Sequence, residues 1–98
     1  MKDYRNAALQ PKERAELLLQ EMTLDEKMAQ LACVFAVKGA EDRMAAFLRH
    51  GIGQISTLEF RSCGSMEEIA AWQRQLQTIV MENSPHHIPA VFHMEGLA

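Results

Sequence analysis

Apolar residues recur along this chain in two alternating rhythms. From Pro11 onward, Ala15, Leu18, Leu19 and Met22 return at helical spacing, which predicts a helix with one apolar stripe. Pro11 suits the first turn of that helix, where a missing N–H leaves no bond unmade. The tetrapeptide TLDE at 23–26 has the capping-box pattern: the Thr23 hydroxyl accepts from the Glu26 N–H while the Glu26 carboxylate accepts from the Thr23 N–H. A second helix therefore begins at Leu24 and shows Leu24, Met28 and Leu31 on one face. Residues 31–37 are continuously apolar and close at Lys38 and Gly39. That run fits a strand buried on both faces; a buried helical continuation has the same periodicity.

The rhythm then repeats. Residues 41–50 predict a third helix with Met44, Phe47 and Leu48 inward and Gly51 as its left-handed stop. Residues 52–58 read as a strand in which Gly53 leaves room for a close backbone approach. A polar stretch at 59–64 leads to a second capping box, SMEE at 65–68, and then to the longest helix. Ile69, Trp72, Leu76, Ile79 and Val80 lie on one side of it, so Trp72 is expected in the core with its indole N–H bonded to backbone or water. Asn83, Ser84 and Pro85 end the helix. Pro89 delivers a final apolar run to Phe92, which closes in His93, Met94, Glu95 and Gly96.

Strands alternating with helices in this order predict parallel βαβ units. The fold class is α/β: the opening portion of a (β/α)8 TIM-type barrel preceded by N-terminal helices. Two or three parallel strands cannot close a barrel, so the architecture is incomplete as given.

Composition narrows the function classes. With 98 residues, 48% hydrophobic and 23% charged, the chain is ordinary globular material, not a disordered one. Its net charge of −3 comes from mixed signs without a basic block, which argues against nucleic acid as a partner. No leader pattern and no apolar run of roughly 18 residues is present, so no signal peptide and no membrane partner are expected. Cys33 and Cys63 form neither a disulfide framework nor a metal knuckle, which favours a reduced, cytoplasmic setting.

The candidate chemistry sits at the end of the last strand. A buried strand that finishes in polar residues and a glycine is how a β/α barrel presents ligand-binding groups at its carboxyl-end face. Glu95 can accept ligand hydroxyls in charge-assisted bonds, and His93, two residues earlier, lies on the same side of an alternating strand. Glu59 and Arg61, on the loop after the second strand, are rim candidates at the same end. The adjacent His86 and His87 diverge and have no acidic or thiol cluster beside them, so a solvated loop is expected there rather than a metal site. Asp25, Glu26, Glu67 and Glu68 stand at helix N-termini, where they cap and meet the helix dipole.

These residues resemble a known family. YRNAAL at 4–9, the residues at 11–14, LL at 17–18 and MTLDEK at 22–27 through Gln30 and Leu31 are similar to the amino terminus of glycoside hydrolase family 3. GIGQIS at 51–56, WQRQLQ at 72–77 and the Ser84, Pro85, Ile88, Pro89 and Glu95 pattern match in the same order. The resemblance implies that residues 1–98 are the N-terminal part of the family's barrel domain, truncated. It implies a retaining β-glucosidase or β-xylosidase acting on a small-molecule β-glycoside or oligosaccharide, with no metal or organic cofactor. Glu95 then stands where the family places an acid of the −1 subsite, with His93 as a second substrate-binding residue. Nucleophile and acid/base have no position in this chain, so the chain alone is expected to be inactive, and its partners are the rest of its own barrel and a second domain. Ala98 stands where the family commonly has a histidine. The competing reading from another class is a non-catalytic helical interaction module, using Met- and Leu-rich helix faces as a partner surface.

Overall fold

The computed structural model describes residues 2–94, the side chain of Arg61 apart. Two helices, α1 (Pro11–Glu21) and α2 (Leu24–Ala29), precede β1 (Cys33–Phe35), α3 (Glu41–Phe47) and β2 (Gln54–Ser56). A 3₁₀ helix (Leu58–Ser62), α4 (Met66–Asn83) and β3 (Val91–His93) complete the order. The strands form one parallel sheet in the order β1-β2-β3, each consecutive pair joined through a helix. Cys33, Gln54 and Val91 stand in one register and Phe35, Ser56 and His93 in another. Sequential parallel strands with helical crossovers are consistent with the opening portion of a β/α barrel.

Local chemistry explains most of the element boundaries. Pro11 opens α1, and the Thr23–Glu26 box at α2 is complete, with the two bonds at 3.2 and 3.0 Å. At α4 only half of the second box forms. Ser65 Oγ accepts from the Glu68 N–H at 3.2 Å, while the Glu68 carboxylate reaches one residue further, to the Gly64 N–H at 2.8 Å. Gly51 has φ +92° and donates to the Leu48 carbonyl at 2.8 Å, the left-handed stop expected after α3.

Gly53 is where the backbones approach most closely. A Cβ there would stand 1.9 Å from the Gln30 carbonyl oxygen, and the Gly53 N–H donates to the Ala29 carbonyl at 3.1 Å. The end of α2 is thereby seated on the start of β2. The helical turn consumes residues 30–32, so β1 starts only at Cys33 and Leu31 is 89% exposed instead of lying in a buried strand.

The core lies between the sheet and helices α3 and α4. Ala36, Met44, Leu48, Ile52, Ile55, Phe60, Trp72, Leu76, Val80 and Ala90 are buried there, with Val34 and Phe92 packed against them. Val34, Ile55 and Phe92 thus mark the helix-covered face of the sheet, and alternation turns Cys33, Phe35, Gln54, Ser56, Val91 and His93 to the other face. Phe35 and Val91 are exposed on that second face. The stripe on α4 matches the periodicity, whereas Phe47 on α3 is 75% exposed. Met44 and Leu48, one turn apart, claim the narrow inward face of this short helix, and Phe47 lies about 100° away from Leu48.

Candidate functional site

The carboxyl ends of the three strands carry a transverse row. Phe35, Ser56 and His93 stand side by side in register, on the face away from the helices. Phe35 is exposed, Ser56 is buried and His93 is half-buried. The His93 ring nitrogen Nδ1 is sealed from solvent and has no hydrogen-bond partner among the described residues. A buried ring nitrogen left unpaired is costly. Glu95, the other substrate-binding candidate, lies outside the described residues.

Thr57 follows this row and binds two loops at once. Its N–H and its hydroxyl both donate to the His93 carbonyl, at 2.8 and 2.9 Å, and its own carbonyl accepts from the Phe60 N–H at 2.9 Å. The segment expected as a polar loop is instead the 3₁₀ helix, anchored by Phe60, whose ring packs on Trp72 at 4.7 Å. Glu59 projects from it into solvent. The Trp72 indole N–H, expected to be bonded, has no partner among the described residues. Apolar contact with Phe60 and the helix core fixes this ring.

In the segment between α4 and β3, His86 departs from the solvated loop expected for it. Its side chain is 15% exposed; Nε2 lies 3.0 Å from Glu26 Oε2 and Nδ1 3.4 Å from the Tyr4 hydroxyl. Arg5 stacks over the Tyr4 ring at 4.3 Å, and Arg14 Nε donates to the Tyr4 carbonyl at 2.7 Å. The carboxyl of Glu26 is held below its ordinary range by the Thr23 backbone N–H first and by His86 next, against an opposing contribution from burial. Sequence reading found Glu26 as a cap and missed this junction, because its members come from three distant segments with no local pattern. His87 takes φ +54° and its Nδ1 lies 2.5 Å from the Met81 carbonyl near the end of α4.

Gln77 holds the approach to β3. Its side-chain amide donates to the Ala90 carbonyl at 3.0 Å and accepts from the Ala90 N–H at 2.9 Å. An apolar groove of about 350 Å³ between β1 and α3, lined by Val34, Val37, Met44 and Phe47 among others, contains none of the candidate site residues. No cluster of three or more His, Cys, Asp or Glu side chains suited to a metal occurs among the described residues. Cys33 and Cys63 are free thiols, and no described helix is long and apolar enough to cross a membrane.

Comparison with known proteins finds likenesses to proteins named as glycosidases. The chain is 34% identical over 103 aligned residues to a Formosa agariphila protein provisionally named a β-xylosidase, covering 97% of this chain and 14% of that protein. It superposes on the crystal structure of a β-glucosidase from Erythrobacter marinus with a TM-score of 0.74 at 30% identity, covering 92% of this chain and 12% of that one. The chain thus spans a small fraction of each relative's length. No family model matches. The likeness to glycoside hydrolases is supported, and neither relative's name specifies family 3.

Proposed function

We propose that this chain is the opening part of the catalytic barrel of a retaining β-glycosidase of the family 3 kind, acting on β-linked glucosides or xylosides. The observation that carries the reading is the position of His93. It ends β3 beside Ser56, at the carboxyl end of a parallel sheet, in a chain that superposes over 92% of its length on a β-glucosidase. In this reading the carboxyl-end face is the sugar-binding face, as in other β/α barrels. His93 gives or receives a hydrogen bond at the −1 subsite, and Glu95, two residues on, accepts hydroxyl protons from the same sugar ring.

Neither residue is assigned to bond cleavage. Retaining hydrolysis needs two carboxyl groups roughly 5–5.5 Å apart across the scissile bond, and this reading assigns neither to a residue among 1–98. The residues here would bind the ring and favour its flattened, oxocarbenium-like form. The reaction as proposed uses no metal or organic cofactor.

Hydrolysis of p-nitrophenyl β-glucoside and β-xyloside by the full-length protein tests the reading. Glu95→Ala is expected to lower kcat/KM at least roughly tenfold, as loss of a charge-assisted hydrogen bond does, with little change in thermal midpoint. Full activity in Glu95→Ala together with a midpoint several degrees lower would make Glu95 structural.

A further inference from the structure

One buried hydroxyl at the sugar-facing end of the sheet has more to do than extend a β-ladder. Thr57 is 5% exposed and comes directly after the Ser56–His93 pair. A parallel ladder continued by one residue needs only the Thr57 N–H on the His93 carbonyl, and that bond is present at 2.8 Å. The Thr57 hydroxyl places a second donor on the same oxygen at 2.9 Å. A carbonyl oxygen has two lone pairs, and Thr57 occupies both.

That carbonyl belongs to the peptide unit between His93 and Met94, the step by which the chain leaves β3. Two donors from one rigid residue fix the plane of the unit, and with it the direction in which the chain leaves His93. Thr57 also accepts the Phe60 N–H that starts the 3₁₀ helix. The exits of β2 and β3 therefore hang on one residue.

We propose that Thr57 is a positioning residue for the sugar-binding end of β3, its hydroxyl setting the geometry in which His93 is presented; this rests on the glycosidase reading above. A methyl in place of the hydroxyl preserves shape and N–H donation, so Thr57→Val isolates the second bond, and Thr57→Ser restores it. Groups held within a fraction of an ångström of productive geometry lose rate when their support loosens, and contacts that tighten in the transition state lose most.

The test uses the full-length protein with the two aryl β-glycosides and both variants. Thr57→Val is expected to lower kcat/KM roughly three- to tenfold, with more of the loss in kcat than in KM, while Thr57→Ser stays within about twofold of the unaltered protein. Hydrogen exchange supplies a readout independent of turnover: backbone amides of residues 91–94 should exchange faster in Thr57→Val than in Thr57→Ser, with α4 unchanged. Equal activity of Val and unaltered proteins, a Ser variant as poor as Val, or unaltered exchange at 91–94 would each overturn the proposal. An unaltered protein that cleaves neither glycoside would instead remove the glycosidase reading, and exchange alone would then decide the role of Thr57.

Discussion

Glu26 and His86 lie sixty residues apart in the chain and meet at 3.0 Å between Oε2 and Nε2. The same Glu26 oxygen accepts the Thr23 N–H, so the residue that caps α2 also clamps the loop after α4. A carboxylate held below its ordinary value stabilises the fold above its unfolded-state value, near pH 4.3, and the contribution is lost as the pH falls through the lower, folded value. Stability should therefore drop on acidification below about pH 4.3, and Glu26→Gln should flatten that dependence. Thermal melts of both proteins across an acid series check this; parallel curves would refute it.

Removing the partner has its own signature. His86→Ala leaves the Glu26 carboxylate one bond short in a poorly hydrated place and frees the Tyr4 hydroxyl. The expected cost is about 1–3 kcal/mol, read as a lower urea midpoint. Limited proteolysis should then cut the segment before α1 faster than in the unaltered protein.

Gly53 should tolerate no side chain. A Cβ at 1.9 Å from the Gln30 carbonyl oxygen and 2.7 Å from its carbon collides with backbone, which cannot rotate away. Gly53→Ala is expected to destabilise by about 1–3 kcal/mol or more, the range of overpacked sites. Gly64→Ala, whose nearest neighbours stand 3.5 Å away on a flexible Glu68 side chain, is the control and should be mild. Denaturant midpoints of the two variants give the comparison.

The sheet's uncovered face predicts how residues 1–98 behave in isolation. Phe35 and Val91 are each 62% exposed on that face, and Leu31 is 89% exposed at the end of α2. The isolated polypeptide should bind a hydrophobic dye such as ANS and self-associate as concentration rises, because large exposed apolar patches seek cover. A monomeric, dye-silent, cooperatively melting polypeptide would instead favour an independent interaction module.

Within the core, Leu76→Ala should cost about 2–5 kcal/mol, since the side chain is fully buried between α4 and the sheet. Leu31→Ala should stay within about 0.5 kcal/mol. Equal effects would mean that the packing around α4 is not the core.

What could be read in the sequence was mostly local chemistry. Pro11, the Thr23–Glu26 box, Ser65 and Gly51 act on backbone groups within a few residues, so their patterns named helix ends correctly. The tight approach at Gly53 and the parallel α/β order were likewise visible. Burial was less legible. Periodicity marks an apolar stripe without saying what covers it, and Leu24 and Met28 on α2 are exposed. Strand length misled for a similar reason: residues 31–37 form one apolar run, yet only Cys33–Phe35 pair. The place of His93 at a strand end was legible, while the bonds of Thr57 and the Tyr4–His86–Glu26 junction depend on partners distant in the chain.

The amide of Gln77 treats Ala90 as a neighbouring strand would, giving one bond and taking one. A primary amide carries its donor and acceptor side by side in one plane, as a backbone edge does, and Asn would be one methylene shorter. A one-residue slip of the segment entering β3 would break both bonds together and turn Phe92 out of the core and His93 into it. Gln77 is in effect an alignment pin: a single side chain on a helix decides which face of the last strand meets the core and which is left open.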